Sequence, residues 1–544
     1  MITKENRRFY IYLLIWMAVD FVQAILTNIH SDEAYYAMYG EFLDWGYYDH
    51  PPMVALMTFL SSLVGFGNLS VRLLTVLMHG GTLLFVWKTI SDKDSTINDV
   101  NRFFIIASSL VMFVLYGFVT TPDAPVLFFT AMFFFLYKHY LEKKSLVIAL
   151  LIGVSVACML YSKYMGVLVV SFVLVSNLKL LKDWRLWLAV ILAVALLVPH
   201  VLWQVNNDFP SLRYHLVIRN DSFSWKYPLE FIPNQLLVFN PICFFLAFYF
   251  CWKTNKNRED AFGRSCAFAF VGIVVFFLVM TINGHSEPHW TIVASIPALI
   301  VMFNQTRNEK WARRLNYLVL PFSAIIIAGR VFLCVGVASE STGFKDCRQE
   351  MTEVRELSGG KPVVFYSSFQ LPSLYRYYAG DDGIALSSVY NRYTQYDILQ
   401  LDRELQGKEV FAVAPYHFSC MQQVGDYELF YTSFSKFQGT NRIDIAVGET
   451  KIDNDSILMD ITLTNNYDIP FAFNHPELPV TVCAVYLDED NLIREYCKTP
   501  SDLQIQPHQS EPLQIKFKLM REIPCVICLS NKVNISPNSG VVKF

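Results

Sequence analysis

The chain has 544 residues, of which 53% are hydrophobic, 15% aromatic and only 17% charged; its mean hydropathy is +0.33. A soluble protein carries about a quarter charged residues, so the composition argues against a single water-soluble globule. The net charge of −3 supplies no basic field for nucleic acid. What remains is a polytopic membrane protein with a soluble part attached.

Up to about Ser339 the chain is a series of long apolar runs, and after it no run approaches the roughly 20 residues a bilayer span needs. Eleven spans are predicted, near 9–28, 71–90, 103–119, 124–140, 146–162, 164–181, 186–204, 229–252, 262–282, 290–304 and 316–338. Segment 53–69, weakened by Ser61, Ser62, Gly65 and Gly67, reads as a helix lying in the interface. The first run exceeds a signal-peptide core, contains Asp20 and is followed by no Ala-x-Ala site, so an uncleaved anchor is expected.

Alternation through eleven spans puts most short-loop cations on the starting side. They are Lys4, Arg7, Arg8, Lys93, Arg102, Lys143, Lys144, Lys179, Lys182, Arg185, Lys253, Lys256, Arg258, Arg264, Arg307, Lys310, Arg313 and Arg314. The other side holds only Arg72, Lys163, Arg213, Arg219 and Lys226. Basic loops stay cytoplasmic, so the N-terminus is expected inside and the last 200 or so residues outside.

Three domains are expected: a membrane domain over 1–340, an α/β unit over 341–440 and a β-sandwich over 441–544. Lys361–Tyr366 and Glu409–Val413 read as strands around a helix at Leu371–Tyr378. From Asp444 the pattern is strand after strand: Ile457–Leu463 with period two, Val480–Leu487, Leu513–Leu519 and Val526–Leu529. Six of the eleven cysteines fall in the part of the chain expected outside, Cys347, Cys420, Cys483, Cys497, Cys525 and Cys528. An oxidising compartment permits disulfides among them, with the pairing open. Cys525 and Cys528 have redox or zinc spacing, but without a second ligand pair they read as structural.

Polar residues beside a span are costly and so informative. The first outer loop, His30 to Met53, carries Asp32, Glu33, Glu41, Asp44 and Asp49 with no lysine or arginine before Arg72. Burial and mutual repulsion at Asp32 and Glu33 would keep one carboxylate basic enough for general-base work; the alternative is an acidic loop with an interfacial aromatic belt. Thr120-Thr121-Pro122-Asp123-Ala124-Pro125 is a short outer turn in which Asp123 opens a span, either as a helix cap or as a functional acid. Lys163, in Ser162-Lys163-Tyr164, either snorkels to headgroups or binds a phosphate. His285, Glu287 and His289 return imidazoles and a carboxylate to the same face, and Arg213 and Arg219 follow the seventh span.

In this order, the acidic-pair loop, Tyr-Tyr-Asp-His-Pro-Pro-Met, Thr-Pro-Asp-Ala-Pro, Ser-Lys-Tyr and Glu-Pro-His-Trp closely resemble bacterial GT-C glycosyltransferases. The resemblance is to the group related to protein O-mannosyltransferases and lipid A aminoarabinose transferases (glycosyltransferase family 39-like), and it covers about 1–340. It implies a GT-C membrane fold and transfer of one sugar from a polyprenyl-phosphate donor to a hydroxyl or phosphate of a lipid, glycan or protein acceptor. The place would be the outer face of the inner membrane. It also implies catalytic roles for Asp32, Glu33 and Asp123, with Asp32 as base, and donor-phosphate contacts from Lys163, His50, Arg213 and Arg219. Tyr35, Tyr36, Tyr47, Tyr48, Asp49, Tyr164, Glu287 and His289 become candidates to line the substrate pocket. The aminoarabinose enzymes usually have lysine where this chain has His50, a poorer fixed cation for a phosphate.

The leaving group is already a stable anion, so no acid and no cofactor is required; single displacement would invert the anomeric centre. A divalent ion is a further option if Asp49, His50, His285, Glu287 and His289 meet in space. A secondary transporter is the main rival, but no internal repeat is visible and the ionisable residues cluster at one face. A flippase or polymerase of lipid-linked glycans, or a receptor using its outer β-domain, are further alternatives.

Overall fold

The computed structural model describes residues 3–214, 223–307, 309–337, 342–453, 455–487, 492–520 and 523–544. The chain divides into two compact units, Met1–Asp346 and Cys347–Phe544, and the sequence boundary drawn at 440 falls inside the second.

The first unit is helical: α1 (Lys4–Leu26), α2 (Ser31–Glu41), α3 (Met53–Ser62), α4 (Leu69–Ile90), α5 (Ile97–Ser109), α6 (Val111–Leu115), α7 (Asp123–Glu142) and α8 (Leu146–Ser162). It continues with α9 (Gly166–Ser176), α10 (Trp184–Asn206), α11 (Pro210–Arg213), α12 (Lys226–Phe239), α13 (Pro241–Asn255), α14 (Ala261–Met280), α15 (Ser295–Gln305) and α16 (Glu309–Cys334). Among the described residues six helices, α1, α4, α7, α10, α14 and α16, are long and apolar enough to cross a membrane. The pair α12–α13, bent by 96°, is a seventh if counted as one broken span rather than a re-entrant loop. The bend has a local cause. Pro241 disfavours helical geometry at the residue before it, and Asn240 takes φ 58° while its side chain caps the Cys243 N–H at 2.8 Å.

Four of the predicted spans take shorter forms. Span 103–119 breaks at Leu110 between α5 and α6, and span 146–162 is α8, with 17 residues. Span 164–181 is α9, with 11 residues, followed by a 3-10 turn. Span 290–304 is a 3-10 turn leading into α15, also 11 residues. Hydropathy cannot distinguish a lipid-facing helix from one enclosed by protein, and α15 is buried from Ser295 to Phe303. The count of eleven therefore rests on the sequence pattern. The interfacial segment near 53–69 contains α3, whose ten residues are too few to span.

One aromatic-rich core runs through the helices, with Phe9 stacked on Trp87 at 5.1 Å and Phe103, Phe134, Phe270 and Phe303 all fully buried. By contrast α10 exposes Trp187, Val190, Ile191, Val194, Val198 and Val201. Such an apolar face would be a liability in water and is natural against lipid. The polar residue that interrupts the first predicted span is accounted for inside the bundle. Asp20 receives His79 Nδ1 at 2.8 Å and Arg330 at 2.8 Å, tying α1 to α4 and α16.

In the second unit β1 (Val363–Phe365), β2 (Gly383–Ala385) and β3 (Val410–Ala414) pair in parallel. β5 (Phe430–Phe434) and β4 (Gln422–Gln423) extend the sheet antiparallel, in the order β2-β1-β3-β5-β4. The helices Arg348–Ser358 and Gln370–Ala379 each end at a glycine in the left-handed region, the usual helix stop.

Two further sheets follow: β6 (Ile443–Asp453), β7 (Ser456–Asn465) and β12 (Ser510–Lys518) in one, and β9 (Thr481–Leu487), β10 (Leu492–Tyr496), β13 (Cys525–Ser530) and β14 (Ile535–Val542) in the other. The strands β8 (Phe471–Ala472) and β11 (Gln504–Ile505) form a small pair. Ile457, Met459, Ile461 and Leu463 alternate inward from β7 and share one core with Val482, Ala484 and Tyr486 of β9. That is sandwich packing, and the period-two pattern of the sequence is its cause.

Candidate active site

The turn between α1 and α2 is built around one cation. Arg72, fully buried on α4, donates to the Ala24, Thr27 and Asn28 carbonyls at 3.1, 2.6 and 2.8 Å. Its remaining N–H groups grip Glu33 at 2.8 and 2.5 Å. Glu33 also accepts from the Thr120 N–H at 2.8 Å and the His30 N–H at 3.1 Å. This is a closed buried ion pair in which each partner is surrounded by further hydrogen bonds, the condition under which such a pair is tolerated. Glu33, read from the sequence as part of a catalytic acid pair, is thus engaged in holding α1, α2, α4 and the Thr120 turn together. It has no exposed surface from which to reach a substrate.

Asp32 stands in a different setting one residue earlier. The His30 Nδ1 accepts from its N–H at 3.1 Å, so the first turn of α2 is capped reciprocally by His30 and Glu33. The Asp32 side chain is 44% exposed, and its carboxylate lies 3.8 Å from the His30 ring.

Asp123 is the first residue of α7, and the N-cap position is taken by Pro122. Its carboxylate is held by Lys163 Nζ at 2.7 and 2.8 Å, both side chains less than a tenth exposed. Asp123 sits at a helix N-terminus and Lys163 just past the C-terminal end of α8, so both helix dipoles favour the charged pair. His289 Nε2 approaches the same carboxylate at 4.0 Å, and its ring stands 6.3 Å from that of Tyr116.

Burial pushes the Tyr36 phenol well above its ordinary value, and the charges of Asp32, Asp49 and Asp123 push it further. The first loop and the Asp123–Lys163 pair are tied to one turn, because Glu33 accepts from the Thr120 N–H three residues before Asp123.

The rest of the first loop is fastened by its own aromatics and by α10. Tyr39 donates to Asp49 at 2.5 Å, and Tyr36 is bonded to His50 Nε2 at 3.2 Å. Tyr47 stacks on Tyr39 at 4.1 Å and donates to the Phe42 carbonyl, while Tyr35 packs 4.7 Å from Tyr39. Tyr48 lies 5.4 Å from Tyr214, and Tyr164 is bonded to His200 at 3.0 Å. From α10, His200 holds the Trp45 carbonyl at 2.7 Å and Trp203 donates to Asp44 at 2.7 Å. Gly46 packs directly on the Trp203 ring, where a Cβ would collide.

In the sequence Arg72 reads only as a span-edge cation, and His200, Trp203 and Gln204 lie within the apolar run 186–204. Their signal was present as three polar or amphipathic residues on one turn of an otherwise apolar helix. Arg213 is exposed at the end of α11, and Arg219 lies outside the described residues.

Among the described residues no group of three or more His, Cys, Asp or Glu is placed to hold a metal ion. The five candidates divide instead: Asp49 and His50 go to Tyr39 and Tyr36, His285 pairs with Glu287 at 3.8 Å, and His289 faces Asp123.

The fold is one already seen in solved structures of ArnT. It superposes on ArnT from Cupriavidus metallidurans in the apo state with a TM-score of 0.57 and 14% identity, covering 78% of this chain and 97% of that one. The same protein bound to undecaprenyl phosphate gives 0.54 at 14% identity with the same coverage. Residues 49–203 match the family model described as dolichyl-phosphate-mannose-protein mannosyltransferase.

Among curated proteins the chain is 24% identical over 297 residues to the lipid A galacturonosyltransferase RgtD of Rhizobium johnstonii, covering 51% of this chain and 60% of that protein. It is 25% identical over 236 residues to the lipopolysaccharide core galacturonosyltransferase RgtB of the same organism, covering 39% and 46%. The chain thus spans less than two thirds of the length of these relatives. Together the matches bear out the resemblance to GT-C glycosyltransferases read from the sequence, and the protein is a multi-pass membrane protein.

Proposed function

We propose that this protein is a membrane glycosyltransferase that moves a single sugar from a polyprenyl-phosphate donor to a lipid-borne acceptor at the outer face of the inner membrane. The observation that carries this reading is the buried Asp123–Lys163 pair with His289 beside it, three residues after the Thr120 turn that is tied to the acidic first loop. The neighbouring structure with undecaprenyl phosphate bound supports the donor class. The names of the two curated relatives favour a glycolipid of the lipid A or lipopolysaccharide core type over a glycan or protein acceptor.

Asp32 is the part-exposed carboxylate of the acidic pair and takes the proton from the acceptor hydroxyl. The oxygen then attacks the anomeric carbon as the bond from that carbon to the donor phosphate breaks, with inversion. Polyprenyl phosphate departs as an anion, and its new charge is met by Lys163, shared with Asp123, and by His50. Arg213 and Arg219 are further candidates for that contact. Tyr35, Tyr36, Tyr47, Tyr48, Asp49, Tyr164, Glu287 and His289 line the pocket on this reading. No cofactor is needed, because the leaving group is stable without protonation; a divalent ion would act only as an additional charge clamp.

The orientation follows the loop charges: eleven crossings, a cytoplasmic N-terminus and the C-terminal unit outside. Protease added to spheroplasts would remove residues beyond about 340, and protection of that region would refute the orientation. The activity itself is tested with the purified full chain and a labelled polyprenyl-phosphate sugar. Release of polyprenyl phosphate coupled to label in an added lipid A-type glycolipid is the expected result. Intact donor in the presence of folded protein and a panel of such acceptors would overturn the proposal.

A further inference from the structure

The six cysteines beyond the last predicted span permit many pairings, and the sheet register selects among them. Cys525 and Cys528 have the spacing of a redox motif, but an odd separation along β13 sends their side chains to opposite faces. Cys525 belongs to the sandwich core with Cys497, whereas Cys528 lies on the other face with Cys483, Val485 and Ile535. Cys497 and Cys525, though on one face, are far apart in register. The Cys497 N–H is bonded to the Val482 carbonyl, while Cys525 stands opposite Tyr486 at the other end of β9.

Cys483 and Cys528 are the pair that the ladder brings face to face. They are directly opposed in the antiparallel β9–β13 register, both fully buried and both thiols in this structure. Opposed residues in such a ladder have Cα atoms about 4.5 or 5.5 Å apart, and both spacings lie within the roughly 4.4–6.8 Å that a disulfide bridges. A hydrogen bond with Cys483 and burial both hold the Cys528 thiol well above its ordinary value.

We propose that Cys483 and Cys528 form a cross-strand disulfide that fastens β9 to β13 in the C-terminal unit. The inference rests on the outward orientation proposed above, since an oxidising compartment is where such a bond forms and persists. Each thiol gives up one hydrogen. The S–S bond forms as the disulfide of an oxidising thiol–disulfide protein is reduced to its dithiol, two electrons and two protons passing to it. Because both sulfurs are buried in the folded unit, the exchange takes place before the face that carries them, away from the inter-sheet core, is covered.

The test is peptide mass spectrometry of the full chain, purified from membranes without reductant, with free thiols blocked in acid before digestion. The peptides carrying Cys483 and Cys528 are expected as one linked species, two hydrogens lighter than their sum and separated by reductant. Cys525→Ser should retain the link and Cys483→Ser should abolish it, but the wild-type digest alone decides the matter. Blocked Cys483 and Cys528 in protein whose C-terminal unit is cut by external protease would overturn the disulfide and leave the orientation standing. Blocked thiols together with a protected C-terminal unit would refute both. A link through Cys525 instead would overturn the pairing read from the register.

Discussion

Two acid–cation pairs lie at the same end of the helical bundle, and they differ in what surrounds them. Around Glu33 and Arg72 the free valences are used up by the backbone of three segments: the end of α1, the start of α2 and the Thr120 turn. Around Asp123 and Lys163 the neighbour is a side chain with chemistry of its own, His289, whose ring stands beside that of Tyr116. Both pairs are buried, so burial does not separate them. The first is a fastening whose partners cannot move without unmaking the turn. The second has a titratable imidazole beside it, and on the proposed reading its cation is shared with an arriving phosphate.

That contrast is broken or sharpened by substitution. Arg72→Ala should have the largest effect, because it leaves Glu33 buried without its cation and several carbonyls without donors. The loss is about 3–5 kcal/mol, read as failure to recover monodisperse protein in detergent. Monodisperse, thermally normal Arg72→Ala protein would show that the fastening is dispensable. Asp32→Asn should leave size-exclusion behaviour and thermal stability unchanged while lowering turnover by about 100-fold or more, the usual range for losing a general base. Folded Asp32→Asn protein with full turnover on a hydroxyl acceptor would remove Asp32 from the mechanism.

Lys163→Ala is expected to be intermediate in kind. It raises the donor concentration needed for half-maximal rate and slows departure of the phosphate together, and it leaves Asp123 buried alone. Asp123→Asn tests the pair from the other side. If Lys163 serves the phosphate and Asp123 only holds it in place, Asp123→Asn should reduce the rate less than Lys163→Ala does in the same labelled-donor assay.

The smallest effect expected is one of conditions. In the C-terminal unit burial raises the Asp397 carboxyl to about 6 from the ordinary 3.8, against hydrogen bonds from Thr394 and Ser387 and the charge of Arg442. Between those values the folded chain holds a proton that the unfolded chain has released, so stability is full below about pH 4 and falls as pH rises through about 6. Thermal midpoints of this unit should drift down by a few degrees across that window in the wild type and stay level in Asp397→Asn. A parallel drift in both would assign the effect elsewhere.

Much of this organisation was legible in the residues. The apolar runs ended where the helical unit ends, the period-two stretches from Ile457, Val480 and Leu513 became β7, β9 and β12, and the motifs at Asp32, Asp123 and Lys163 pointed to one face. Hydropathy and alternation are local properties of the chain and survive translation into structure.

What the residues could not disclose was the division of labour between adjacent carboxylates. Asp32 and Glu33 are neighbours in the text, yet a helix turns successive side chains by about 100°. One therefore meets the Arg72 guanidinium and the other the open face. In the same way 3.6-residue and two-residue periods said nothing about whether an apolar run meets lipid or protein, which is why α9 and α15 proved shorter than the spans drawn over them. Nor could spacing within Cys525–Cys528 reveal that the partner across the ladder is Cys483. Sequence fixes which groups are available and which faces they share along one element. Only tertiary packing decides which groups from distant elements meet, because that depends on the register and crossing of elements far apart in the chain.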